Sequence, residues 1–176
     1  MLDLLMKRRS IRKYEKRAVE PEKIEQIMKA ALLAPSSKKS QPWEFVVVTE
    51  PELLKKLSQS REMGAAFVKE APLAIVILAD PAKSNVWVED AAIAATLIQL
   101  EAEILGLGSC WIQVRNRSCD EVRSTEAVIH EMLKIPQHLH VASFIAMGYP
   151  AETKQPYSED DLPENRVFVN RYGVGE

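Results

Sequence analysis

Apolar residues recur along the chain with two different periods. Leu2, Leu5 and Met6 follow helical spacing, so a short helix is expected over residues 2–9. Ile24, Ile27, Met28 and Ala31 repeat that spacing behind Pro21, a favourable first helical residue. This second helix should run to Leu33 and stop ahead of Pro35, which disfavours helix in the residue before it. Phe45 to Val48 is an apolar, β-branched run and reads as a strand. Thr49 and Glu52 have capping-box spacing and should open a helix carrying Leu53, Leu54 and Leu57. Leu73 to Ala79 is continuously apolar, as expected of a strand covered on both faces.

Val88 to Leu105 reads as a long helix ending at Gly106, a natural glycine terminator. Its stripe of Ala92, Ala95, Ile98 and Ala102 is small and apolar, which suits close approach by another helix and marks it as a central helix or a subunit-interface helix. Trp111 to Val114 and Val141 to Met147 read as strands, with a helix over Ala127 to Leu133 between them. A late apolar patch, Val167 to Val169, is expected to form one more strand. Four or five short strands interleaved with helices make the fold class α+β, a sheet flanked by helices. With 176 residues and no repeat, linker or biased segment, residues 1–176 form a single domain.

Composition narrows the functional classes. Hydrophobic residues make up 47% and charged residues 27%, ordinary globular usage. Twenty-three basic residues against 25 acidic ones leave a net charge of −2, without the positive surplus that nucleic-acid backbones require. Two cysteines, Cys110 and Cys119, are too few for a disulfide framework and suit a reducing cytoplasm. The apolar stretch over residues 71–79 is far shorter than the roughly 20 residues of a membrane span, so no membrane partner is expected.

Several chemistries are absent. There is no P-loop and no GxSxG elbow. Gly106-Leu107-Gly108 follows a helix and precedes a strand, the wrong order for a dinucleotide fingerprint, and lacks the third glycine. His130, His138 and His140 match no metal-ligand spacing, so they read as surface histidines near a turn and no metal site is expected. Cys110 reads as a small core residue.

Two polar segments remain. Five of the seven residues Lys7-Arg8-Arg9-Ser10-Ile11-Arg12-Lys13 are basic in a chain of negative charge. Arg8 and Arg12, four apart, would share one side of a helix end and offer guanidinium forks to an anion, with Ser10 adding a hydroxyl. The plainer reading is a solvated cluster at a helix C-terminus. The loop Ala34 to Pro42, ahead of Trp43, carries serine hydroxyls and backbone amides suited to a phosphorylated cofactor; its plainer reading is an ordinary connection.

Three motifs occur in order: RRSIRKY near the N-terminus, APSSKKSQPWEFVVV, and DAAIAA…GLGSCWI from Asp90 to Ile112. Together with the Gly148-Tyr149-Pro150 turn and the Asn170-Arg171-Tyr172-Gly173 tail, they resemble the nitroreductase family of FMN-dependent oxidoreductases over nearly the whole chain. The resemblance implies an α/β sandwich with a central, mostly antiparallel sheet flanked by helices, assembled as an intertwined homodimer with FMN at the subunit interface. It implies hydride transfer from NADH or NADPH to flavin N(5) and onward to a small conjugated acceptor, such as a nitroaromatic or quinone, in ping-pong fashion. No protein nucleophile is needed, since the cofactor supplies the chemistry. Rival readings on the same fold are a flavin reductase, a reductive dehalogenase, or a flavin-binding sensor.

Carried over by motif, Arg8 matches the arginine on the FMN phosphate, with Arg9 beside it and Ser10 the neighbouring serine. Arg12 matches the basic residue at the flavin N(1)–O(2) edge. Pro35, Ser36 and Ser37 match the loop reaching the partner's FMN. Lys39 stands where relatives commonly carry asparagine. Gln113 takes the position whose backbone amide faces N(5), and Val114 replaces the glycine that follows. Thr96-Leu97 replaces a common Gln-Asn pair. Lys154, Arg166 and Arg171 compete for the late basic residue of the phosphate site.

Overall fold

The computed structural model describes residues 1–173. Its helices are α1 (Leu2–Lys7), α2 (Pro21–Leu32), α3 (Pro51–Ser58), α4 (Trp87–Ile104) and α5 (Thr125–Leu133). Its strands are β1 (Trp43–Val48), β2 (Leu73–Ala79), β3 (Gly108–Gln113) and β4 (His140–Gly148). The strands form one sheet in the order β1-β2-β4-β3, and every neighbouring pair is antiparallel.

The apolar pattern explains the layering. Every residue of β2, and every residue of β4 except His140, is buried, because helices cover both faces of these central strands. Leu73, Ile75, Ile77, Ile145 and Met147 face α2 and α4, meeting Ile27 and Ile98. Ala74, Val76, Leu78, Phe144 and Ala146 face the opposite layer, with Leu54 and Leu57 of α3 and Ile129 of α5. Burying a side chain such as Ile98 contributes about 1.5–3 kcal/mol.

The edges differ from the sequence expectations in instructive ways. α1 stops at Lys7, because Arg8 turns to extended backbone (φ −60, ψ 122) and the basic segment leaves the helix. Thr49 does not cap α3: Glu50 holds that position, no side chain caps the helix, and Pro51 occupies its first turn, where a missing N–H costs nothing. Cys110 lies within β3 rather than beside it. Gly106 ends α4 as expected, in the left-handed region (φ 75), with Leu107 N–H bonded to Ala102 O. Val167–Val169 adds no strand; it has no regular structure, and Val167 and Val169 are fully in solvent. Among the described residues it forms no ladder or bridge with any strand, so its β-branched composition is not used for pairing.

Of the two roles open to the alanine stripe of α4, the fold of the single chain uses the central one. Ala91, Ala94, Ala95 and Ala102 are fully buried inside the chain's own fold, and Ala92 is half-buried. Their small size lets α4 lie close to the sheet and to α2.

One irregularity marks the end of β3. Opposite Ile77 and Leu78 the register on β4 jumps from Ser143 to Val141, so Ala142 bulges. Ala142 O then accepts from both Val114 N and Arg115 N. The bulge bends β4 beside Gln113, which pairs with Ser143.

Candidate functional site

β3 is an edge strand, and its free edge is the frame of the site. Val114 N–H bonds to Ala142 O, so by antiparallel alternation the even residues 110 to 114 turn their backbone groups toward β4. Ser109, Trp111 and Gln113 turn theirs outward. The N-terminal segment covers the start of this edge: Ile11 N–H donates to Ser109 O at 3.0 Å, and Ser10 pairs with Ser109 as an isolated parallel bridge. Farther along, the N–H of Gln113 stays on the open edge.

Gly108 permits the approach. A Cβ there would sit 2.7 Å from Ile11 Cβ and Cγ1, well inside contact distance. Ile11 is buried in that space. Tyr14 fastens the segment from below, its hydroxyl 2.6 Å from Ile11 O and 3.2 Å from Ala146 O, and burial pushes its pKa far above the usual phenol range. Glu152 fastens it from outside: Oε1 accepts from Arg12 N–H at 2.6 Å and Lys13 N–H at 3.2 Å. Those contacts, the Arg12 bond first, hold its carboxyl below the ordinary value.

Arg8 and Arg12 do share a side, for a different reason from the helical spacing. The segment is extended, so its side chains alternate with period two. Arg8, Ser10 and Arg12 all lie near enough to Cys110 to bear on its thiol. Burial pushes the thiol pKa up, and the nearby positive charge and hydroxyl oppose that rise only in part. Cys110 is therefore a neutral thiol; Arg8 is half-buried and Arg12 exposed. Arg9 falls on the opposite side. Its guanidinium donates to Gln155 O and lies 4.3 Å over the Tyr157 ring, so it fastens the C-terminal segment.

The loop before β1 is held by a buried acid. Asp90, in the first turn of α4, accepts from Ser37 N–H at 2.9 Å through Oδ1 and from the Ser84 hydroxyl at 2.7 Å through Oδ2. The Ser36 hydroxyl accepts from Gln41 N–H at 3.0 Å, which leaves its own proton to donate. Pro35 is exposed, and Ser40 Oγ is buried with no partner. Lys38 and Lys39 take left-handed backbone (φ 51 and 56), a region that favours asparagine over lysine.

The two halves do not meet within one chain. Ser37 sits against Asp90, while Ser109 lies beside Gln99. Nine residues of helix separate these points by roughly 14 Å. Among the late basic residues, Lys154 is beside the basic segment, 3.1 Å from Glu152, whereas Arg166 and Arg171 lie on the exposed tail.

Asp90, Glu152 and Arg61 were not singled out in the sequence. Arg61 Nη1 reaches Gln113 O at 3.5 Å from a separate loop. Only Asp90 left a trace, as an acid in a helix's first turn. Of the histidines expected at the surface, His130 is nearly buried on α5, with 10% of its side chain exposed, while His140 is exposed and its Nδ1 bonds to Glu126 Oε1 at 2.9 Å; among the described residues no group of three or more potential ligands is arranged to hold a metal. Among the described residues, no helix is long and apolar enough to cross a membrane.

The sequence profile of the Nitroreductase family matches residues 5–64 and 58–149, spanning the basic segment, the serine loop, α4 and the β3 edge. The chain belongs to the nitroreductase family. It is similar to a solved FMN-dependent nitroreductase from Clostridium difficile R20291, at 53% identity and a TM-score of 0.96, covering 98% of this chain and 100% of that one. An Archaeoglobus fulgidus protein named provisionally as an NADH dehydrogenase/NAD(P)H nitroreductase is 40% identical over 164 residues, 91% of each chain. An FMN reductase [NAD(P)H] of Bacillus subtilis is 28% identical over 93% of this chain and 72% of its own. The nitroreductase fold thus accounts for the antiparallel sheet and its two helical layers.

Proposed function

We propose that the protein is an FMN-dependent NAD(P)H oxidoreductase that works as a homodimer and reduces small conjugated acceptors. The observation that carries this reading is the row of Arg8, Ser10 and Arg12 along the free edge of β3, ending at the open N–H of Gln113. Two guanidinium forks and a hydroxyl at one end suit a phosphate ester and an electron-rich ring edge. The unpartnered Ser40 hydroxyl in the serine loop is a further group for a ligand to satisfy. The donor set therefore fits FMN.

When bound, FMN supplies the hydride chemistry, taking reducing equivalents from NAD(P)H and passing them to the acceptor. The residues of this chain bind and orient it. Arg8 and Ser10 would hold the phosphate. Arg12 would set a fixed positive charge at the N(1)–O(2) edge, favouring the more negative state of the ring. The backbone N–H of Gln113 would donate toward N(5), a contact that does not depend on the glutamine side chain. Donor and acceptor would use the same open side in turn, which gives ping-pong kinetics.

The dimer rests on α4 and the serine loop. The outward face of α4 carries Ile93, Leu97, Leu100 and Ile104 at spacings of four, three and four, and Ile93 and Ile104 are exposed (39% and 61%). A second apolar stripe on the side of the helix away from the core calls for a second partner to cover it. A second copy on this face would cover the stripe and bring its Ser36–Ser37 loop toward the β3 edge. The likeness to an FMN reductase favours free flavin as a second acceptor class.

The purified protein should be yellow, or take up about one FMN per chain on titration, and should scatter light as a dimer at micromolar concentration. NADH or NADPH should bleach the flavin, and nitroaromatics or quinones should restore its colour. A monomer that takes up no FMN would overturn the reading.

A further inference from the structure

Beyond Gln113 the chain turns sharply and carries three arginines, Arg115, Arg117 and, from a separate loop, Arg61. We propose that the pocket between Arg61 and Arg117 receives a phosphate group of the reducing dinucleotide. The inference rests on the reading of the β3 edge as the flavin site.

The pocket has a volume of about 300 Å³ and is lined by Arg61, Glu62, Met63, Asn116, Arg117 and Ser118. Its walls are fastened to each other. Glu62 N–H donates to Ser118 O at 3.3 Å, joining the loop to the turn. Arg117 N–H donates to Val114 O at 3.0 Å, and Thr125 N–H donates to Arg117 O at 2.9 Å. Asn116 holds the tight turn in left-handed backbone (φ 58). Arg61 is half-buried, and its Nη1 is 3.5 Å from Gln113 O, so the pocket adjoins the residue assigned to flavin N(5). Gly64, itself left-handed (φ 85), leaves the space beside the Arg61 guanidinium clear.

The pocket carries a surplus of positive charge. Among the described residues, Arg61, Arg115 and Arg117 form no ion pair, whereas nearby Arg123 is held by Asp120 at 2.8 Å. Glu62 on the rim is the one carboxylate in the lining, against two guanidinium groups. Guanidinium forks match phosphate oxygens two at a time, which ammonium groups do not. Hydride transfer requires the nicotinamide ring near Gln113, so the remainder of the dinucleotide must trail over an adjoining surface. With the Arg8–Arg12 row assigned to the flavin, this pocket is a second cationic surface that adjoins it.

A pyrophosphate, present in NADH and NADPH, and the 2′-phosphate of NADPH share this chemistry. Calorimetric titration of the flavin-loaded protein with adenosine 5′-diphosphate and adenosine 2′,5′-diphosphate separates them. Arg117→Ala and Arg61→Ala should each weaken one or both nucleotides about tenfold, and Glu62→Gln should tighten the same one. In stopped flow, kcat/KM for NADH or NADPH, divided by that for the phosphate-free reductant 1-benzyl-1,4-dihydronicotinamide, should fall by a similar factor in Arg117→Ala. Loss with the 5′-diphosphate and both reductants assigns the pyrophosphate; loss with the 2′,5′-diphosphate and NADPH alone assigns the 2′-phosphate. If neither nucleotide binds, or if neither arginine variant changes an affinity, these arginines are merely solvated and the proposal is overturned. Failure to take up FMN would sink the flavin reading separately; the same nucleotide titration, run then on the flavin-free protein and its arginine variants, would still decide the pocket.

Discussion

Gly108→Ala tests the seating of the basic segment most directly. The added methyl would lie 2.7 Å from Ile11 Cβ and Cγ1 and 2.8 Å from Cγ2. Carbon atoms settle at about 3.5–4.0 Å, so Ile11 must retreat by about 1 Å. Ile11 is a buried branched side chain, and its N–H is the bond to Ser109 O. Overpacking of this kind costs about 1–3 kcal/mol. For a domain of this size that lowers Tm by about 3–10 °C. The same retreat carries Arg8, Ser10 and Arg12 off the β3 edge, and losing one charge-assisted bond of about 1.5–3 kcal/mol weakens FMN binding roughly ten- to a hundredfold. The double variant with Ile11→Ala makes the argument specific. Ile11→Ala alone leaves a cavity and destabilises, but in the Gly108→Ala background it also removes the clash. The two changes should therefore be less than additive, with a coupling of about 1–3 kcal/mol. Thermal melts and FMN titrations of the four proteins complete the cycle. Strict additivity, or a Gly108→Ala protein that melts and binds FMN like the parent, would show that close packing is not what seats the segment.

Three further outcomes are expected. Arg8→Ala should weaken FMN binding ten- to a hundredfold with little change in reduction potential, since a phosphate contact is the same before and after reduction. Arg12→Ala should lower the potential and slow reduction by NAD(P)H, and a redox titration showing the two variants alike would refute their separate roles. Asp90→Ala leaves Ser37 N–H and the buried Ser84 hydroxyl without their acceptor, at a cost of about 1–3 kcal/mol for each group left buried and unpaired; calorimetric melts should show the loss, with FMN affinity falling as the serine loop loosens. Glu20 is held down to about 2, first by the Tyr149 hydroxyl at 2.7 Å and then by its own backbone and by Arg17. A carboxylate with a depressed folded value stabilises above its unfolded value, 4.5, and loses that contribution as pH falls toward about 2. Acid unfolding should steepen across that window in the parent and flatten in Glu20→Gln.

Periodicity and turn chemistry sufficed for most elements of this chain. The apolar runs of β2 and β4 announce burial on both faces because only central strands can use them. The Pro21 start and the Gly106 stop are local backbone constraints that need no tertiary context. The three motifs, in order, carried the family resemblance, since a phosphate and a flavin edge demand particular donors at particular spacings.

Tertiary structure decided what those elements do to each other. Four-residue spacing put Arg8 and Arg12 together on a helix, but packing of Ile11 over Gly108 pulled the segment straight, and strand alternation produced the shared face instead. That alternation also sent Arg9 to the tail, which no local rule foretold. The alanines of α4 suited a central or an interface helix alike, since small side chains serve any close approach, and within the chain the sheet claimed them. The helix's outward isoleucines and leucines are what remain for a partner. Val167–Val169 has strand composition without a strand to join, because β-structure exists only where another edge is available. Asp90, Glu152 and Arg61 matter through contacts dozens of residues away, and only the folded chain brings such groups within a hydrogen bond of the site.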